Sequence, residues 1–130
     1  MIVLDASVVV ELLLRTADAS RIEARVFGMG EALHAPHLLD VETSHVLRRY
    51  SRVGDLSPGR AAQAVDVLTV MPIVRHEHTA MLPRIWALRE NLTAYDAAYV
   101  ALAEGLDATL LTRDARLGRA KGHRARVEVV

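Results

Sequence analysis

Short aliphatic and β-branched runs alternate along this chain with longer stretches of helical period. That alternation restricts the fold to a parallel sheet covered by helices. Strands are expected at 2–4, 33–35, 72–74, 109–111 and 127–129. Helices are expected at 7–15, 20–27, 37–53, 58–70, 79–90, 94–104 and 116–121. Ser57-Pro58 places an N-cap beside a first-turn proline, Gly54 and Gly105 read as helix stops, and Gly28-Met29-Gly30 marks a turn before the second strand. With no internal repeat and no linker, residues 1–130 read as one α/β domain ending on an edge strand.

Composition narrows the chemistry. A chain with 52% hydrophobic and 25% charged residues is globular rather than disordered. It has no Cys, which excludes disulfide scaffolds and thiolate metal sites, so any metal must sit on oxygen or imidazole. Asp5, Glu11 and Arg113 interrupt the longest apolar stretches, so no segment spans a bilayer. An acid also stands where a secretory signal would be positive, so a cytoplasmic protein is expected. Net charge is zero, but residues 113–126 carry Arg113, Arg116, Arg119, Lys121, Arg124 and Arg126 against Asp114 alone.

Four acids lie where a solvated carboxylate does not belong. Asp5 separates Ile2-Val3-Leu4 from Val8-Val9-Val10, and Asp114 follows the run ending at Leu111. Both therefore stand at the carboxyl ends of strands, where open α/β sheets bind ligands. Glu42 shares a helical stripe with Leu38, Leu39 and Val46, and Asp96 shares one with Tyr99, Val100 and Ala103, so both point inward. Asp40, two residues before Glu42, projects elsewhere and reads as a surface or helix N-terminal charge. Taken singly, each of the four has a structural explanation, a helix cap for Asp5 or Asp114 and an arginine partner for Glu42 or Asp96. Taken together, one divalent cation compensates all four, and oxygen-only ligation suits Mg²⁺ or Mn²⁺.

The segments Ile2-Val3-Leu4-Asp5-Ala6-Ser7, Leu39-Asp40-Val41-Glu42 through Arg49, Thr93-Ala94-Tyr95-Asp96 through Ala103, and Leu111-Thr112-Arg113-Asp114 follow one another in this order. Together they resemble the PIN-domain ribonucleases, and among them the VapC toxins of bacterial toxin-antitoxin modules. The resemblance implies a five-stranded parallel sheet of order 3-2-1-4-5. It gives Asp5, Glu42, Asp96 and Asp114 metal-binding catalytic roles, and makes Ser7 and Thr112 supporting hydroxyls. It further implies Mg²⁺- or Mn²⁺-dependent endonucleolytic cleavage of RNA, often structured RNA such as transfer RNA, a cognate VapB antitoxin that inhibits it, and a homodimer using the helices at 58–70 and 79–90. His45 departs from the asparagine of many members, at a position that orients the glutamate or the substrate.

Phosphate contacts need nearby cations, and Arg113, Arg116, Arg48, Arg49 and Arg52 are the candidates. Arg48, Arg49 and Arg52 also suit a helix C-terminus. Tyr95 and Tyr99 read as core or dimer contacts and Trp86 as packing. His34, His37 and His45, with His76-Glu77-His78, lack zinc-ligand spacing, and the neighbouring His76 and His78 read as solvent-exposed. A haloacid-dehalogenase phosphatase would need a second Asp where Ser7 stands. A response-regulator receiver would need an acceptor Asp ending the third strand, where Ile73-Val74-Arg75 offers none. A PIN module that binds RNA or a protein without cutting is the remaining alternative.

Overall fold

The computed structural model describes residues 1–130. Five parallel strands, β1 (Ile2–Leu4), β2 (Leu33–Pro36), β3 (Ile73–His76), β4 (Thr109–Thr112) and β5 (Arg126–Val129), form a sheet of order β3-β2-β1-β4-β5, as the resemblance implied. Helices α1 (Ala6–Leu14) and α2 (Ala19–Phe27) link β1 to β2, and α3 (Leu38–Arg52) with α4 (Pro58–Val70) leads to β3. A 3-10 turn (Thr79–Met81), α5 (Leu82–Ala87) and α6 (Ala94–Leu106) carry the chain to β4, and α7 (Ala115–Arg119) precedes β5.

β1 is apolar throughout and β4 carries Leu110 and Leu111 at its centre because both faces of the sheet are covered. Ile2, Val3, Leu4, Leu110 and Leu111 are fully buried, packed with Val8, Val9, Ile22, Leu39, Tyr99 and Val100. Leu47, Leu56 and Ala64 form a separate small core between α3 and α4. Between β1 and β4 the direction of strand addition reverses, and a crevice opens above their carboxyl ends. No helix is long and apolar enough to cross a membrane.

Some expected boundaries shift for local reasons. The helix expected at 79–90 is a 3-10 turn followed by a six-residue helix, with Pro83 in its first turn. Gly105 lies within α6. The left-handed residue that ends this helix is Asp107, at φ 49°, a conformation aspartate tolerates better than most side chains. β3 runs on through Arg75 and His76 because both find internal partners. Arg75 pairs with Asp40 at 3.0 Å and donates to the carbonyls of Leu68, Met71 and Ile73. Asp40 is therefore the anchor that ties α3 to the α4–β3 turn, beyond the surface charge expected of it. His34 Nδ1 and His76 Nε2 share a hydrogen bond of 2.8 Å, which places His76 in the sheet rather than in an exposed loop.

Candidate active site

The apolar run of β1 ends where the chain must turn into α1, and Asp5 occupies that N-cap position in extended backbone. Its carboxylate does not cap the helix. Instead Oδ2 accepts hydrogen bonds from Ser7 Oγ at 2.8 Å and from Thr112 Oγ1 at 2.6 Å. The two hydroxyls are themselves held by backbone amides, Ser7 Oγ by Arg113 N at 3.0 Å and Thr112 Oγ1 by Asp114 N at 3.0 Å. Asp5 is thus fixed through one oxygen across the β1–β4 junction. Ser7 and Thr112 therefore both hold the same Asp5 oxygen.

Glu42 is half-buried on α3, and its Oε2 accepts a 2.6 Å hydrogen bond from the hydroxyl of Tyr99 on α6. Burial pushes the Glu42 carboxyl above its ordinary range and the charges of Asp5 and Asp96 add to this, while the Tyr99 bond opposes it. Asp96 lies in the first turn of α6, which Thr93 caps by accepting from Asp96 N at 3.1 Å. Burial also raises Asp96, reinforced by Asp5 and Asp114 and opposed by the Thr93 hydroxyl and Arg116.

Asp114 differs from the other three. It caps α7 by accepting from Arg116 N at 2.8 Å, and the Arg116 guanidinium grips both its oxygens, Nε to Oδ1 at 3.0 Å and Nη2 to Oδ2 at 2.7 Å. That bond holds its carboxyl below the usual carboxylate range. The structural explanation for an isolated acid, a cap plus an arginine, therefore applies to Asp114 and not to Asp5.

The acids line two clefts. Asp5 and Glu42 share one of about 510 Å³ with His45, Tyr95 and the apolar side chains of Leu38, Val41 and Val46. Asp96 and Asp114 share another of about 280 Å³ with Asn91, Thr93 and Arg116. The charge of Asp5 adds to the upward shift of both Glu42 and Asp96, one acid in each cleft. No three His, Asp or Glu side chains are arranged to hold a metal ion as they stand.

Several expected contacts lie elsewhere. Arg113 donates to Asp18 at 2.8 Å and to the Val130 carbonyl at 2.8 Å, and stands 3.7 Å from Glu11. It anchors α1 and the α1–α2 turn to β4 and is not free for phosphate. Arg116 is held on Asp114, with most of its side chain exposed. Arg48, Arg49 and Arg52 are exposed and form no ion pair, although the Arg49 guanidinium lies 5.5 Å from the Tyr50 ring. Trp86 is 68% exposed beneath the Arg89 guanidinium rather than packed inside, because the short α5 buries little of its surface. Tyr95 is exposed and lines the first cleft, whereas Tyr99 is buried. The role of Tyr99 was missed in the sequence, although a tyrosine buried among alanines beside inward-pointing acids must place its hydroxyl on something.

A crevice of carboxylates at the switch point of a 3-2-1-4-5 parallel sheet defines a PIN domain. Residues 2–122 match the PIN domain family, and the chain belongs to it. Within that family it groups with the VapC ribonucleases. Ribonuclease VapC1 of Mycobacterium tuberculosis is 40% identical over 129 residues, covering 98% of this chain and 96% of that protein. Two solved structures share the fold. VapBC2 from Rickettsia felis, bound to a DNA fragment from its promoter, superposes with a TM-score of 0.73 at 13% identity over 99% of this chain and 98% of that one. VapC20 of M. tuberculosis, described as a sarcin-ricin loop cleaving toxin, gives 0.72 at 16% identity over 95% and 97%.

Proposed function

We propose that this protein is a divalent-metal-dependent endoribonuclease, the toxin of a VapBC-type module, which cuts a structured RNA such as transfer RNA in the cytoplasm and is restrained by a VapB-type antitoxin. The observation that carries this reading is the unbalanced charge of the site. The charges of Asp5 and Asp96 bear on partly desolvated Glu42 and that of Asp5 on partly desolvated Asp96, while the arginine at the site, Arg116, is bound to the fourth acid.

Such a donor set fits Mg²⁺ or Mn²⁺, since all its oxygens are hard and its four acids outnumber the one arginine among them, Arg116. Asp5 and Asp96 would hold the ion directly, and Glu42 and Asp114 would hold it or its water. When bound, the ion supplies Lewis acidity toward a phosphodiester oxygen and makes a water nucleophilic at neutral pH. The protein's own contribution is positional. Ser7 and Thr112 fix Asp5, the Thr93 cap seats the first turn of α6 beneath Asp96, and Arg116 offers a charge to phosphate.

Cleavage of total RNA in Mg²⁺, Mn²⁺ or EDTA tests this directly. Discrete fragments are expected with metal, with none in EDTA and none from Asp96→Asn. If the folded, antitoxin-free protein cuts nothing in any metal, the second reading leads, a PIN module that binds without cutting. The grip of Arg116 on Asp114, which occupies both oxygens of one acid, favours that reading.

The RNA backbone is expected to run along α3, whose exposed Arg48 and Arg49 follow Glu42 by two turns of helix. Replacing both with Ala should weaken RNA binding across sequences. It should also reduce the slope of log affinity against log salt by about 0.7–0.9 per lost phosphate contact. An unchanged slope in a filter-binding titration would move the RNA to another face. Self-association is proposed through the exposed apolar side chains Val65, Val67 and Val70 of α4 and Leu82 and Trp86 of α5.

A further inference from the structure

Glu42 is the only one of the four acids that a side chain from another helix holds through a single short bond. The Tyr99 hydroxyl donates to its Oε2 at 2.6 Å, and the tyrosine ring is 1% exposed. The hydroxyl therefore has no water to turn to, and its position is set by the packing of α6 against the sheet. Tyr99 stands one turn after Asp96 on the same helix, so the element that carries one acid also fixes the orientation of another. His45, at the sequence position expected to orient the glutamate or the substrate, is exposed and makes no hydrogen bond to Glu42.

We propose that Tyr99 is a positioning residue of the site: its buried hydroxyl locks Glu42 through Oε2 and leaves Oε1 as the oxygen offered to a divalent cation or its water. This rests on the nuclease reading above and adds a residue to it. Asp5 follows the same rule, since its Oδ2 is taken by two hydroxyls and Oδ1 is left. In both cases a hydroxyl donor holds one carboxylate oxygen without neutralising the charge, which is what a partner of a metal ligand has to do.

The test is a double-mutant cycle read by Mn²⁺ affinity, using electron paramagnetic resonance of free Mn²⁺ together with the unfolding midpoint of each protein. Tyr99→Phe removes one oxygen and keeps the ring, and Glu42→Gln keeps an acceptor for the tyrosine. Tyr99→Phe is expected to weaken Mn²⁺ binding by about 10-fold in the native background and by less than about twofold in the Glu42→Gln background. A lowered midpoint with unchanged Mn²⁺ affinity makes Tyr99 a packing residue and overturns the inference. So does an equal loss of affinity in both backgrounds. Parallel RNA cleavage separates the two levels. If the cycle behaves as expected but the wild type cuts no RNA, the nuclease reading falls while the role of Tyr99 stands. If the wild type cuts RNA and Tyr99→Phe binds Mn²⁺ normally, the reverse holds.

Discussion

Asp5→Asn is expected to lower RNA cleavage by about a thousandfold while raising the melting temperature measured in EDTA. The loss follows from ligand chemistry: an amide is a poor donor to Mg²⁺. Lewis-acid stabilisation of several kcal/mol, at tenfold per roughly 1.4 kcal/mol, amounts to about three orders of magnitude. The gain follows from electrostatics. The Asp5 charge acts unfavourably on Glu42 and Asp96, and also raises the already elevated pKa of the Tyr99 phenol. An amide removes that charge and still offers one oxygen to Ser7 and Thr112, so the β1–β4 junction survives. Single-turnover cleavage and calorimetry in EDTA measure both effects. Activity within tenfold of wild type would remove Asp5 from the chemistry, and a fall in melting temperature would mean that its bonds outweigh the repulsion.

Leu110→Ala tests the scaffold. Leu110 is fully buried at the middle of β4, in register with Val3 of β1 and Val127 of β5. Truncation leaves a cavity that strands hydrogen-bonded on both sides have little freedom to close, and a cost of about 2–5 kcal/mol is expected. Against a total stability of about 5–15 kcal/mol this is a large fraction, and it falls two residues before Thr112. A urea titration should show a lower midpoint at unchanged slope. A loss below about 1 kcal/mol would mean that the sheet relaxes around the vacancy.

The sheet could be read from the sequence where its strands are buried on both faces, because such strands carry apolar runs, as at Ile2-Val3-Leu4 and Leu110-Leu111. β3 extends beyond its expected end because Arg75 and His76 are polar residues satisfied by Asp40 and His34, partners 35 and 42 residues away. The four acids were legible as interruptions of apolar pattern. The status of the arginines was not, since a basic residue looks the same whether free or engaged. Arg113 is committed to Asp18, 95 residues earlier, and only the folded chain brings them together. Tyr99 fell between the two cases: its burial followed from the helical period, but its partner is 57 residues distant on another helix.

The bond between Thr112 and Asp5 spans 107 residues, and β4 lies beside β1 at the centre of the sheet. During synthesis the first strand leaves the ribosome with its acid in place, while the strand that must seat beside it is still being made. Non-local pairing of this kind forms late. The cleft that Asp5 lines therefore cannot assemble until β4 has cleared the exit tunnel, about a hundred residues after the acid itself has emerged.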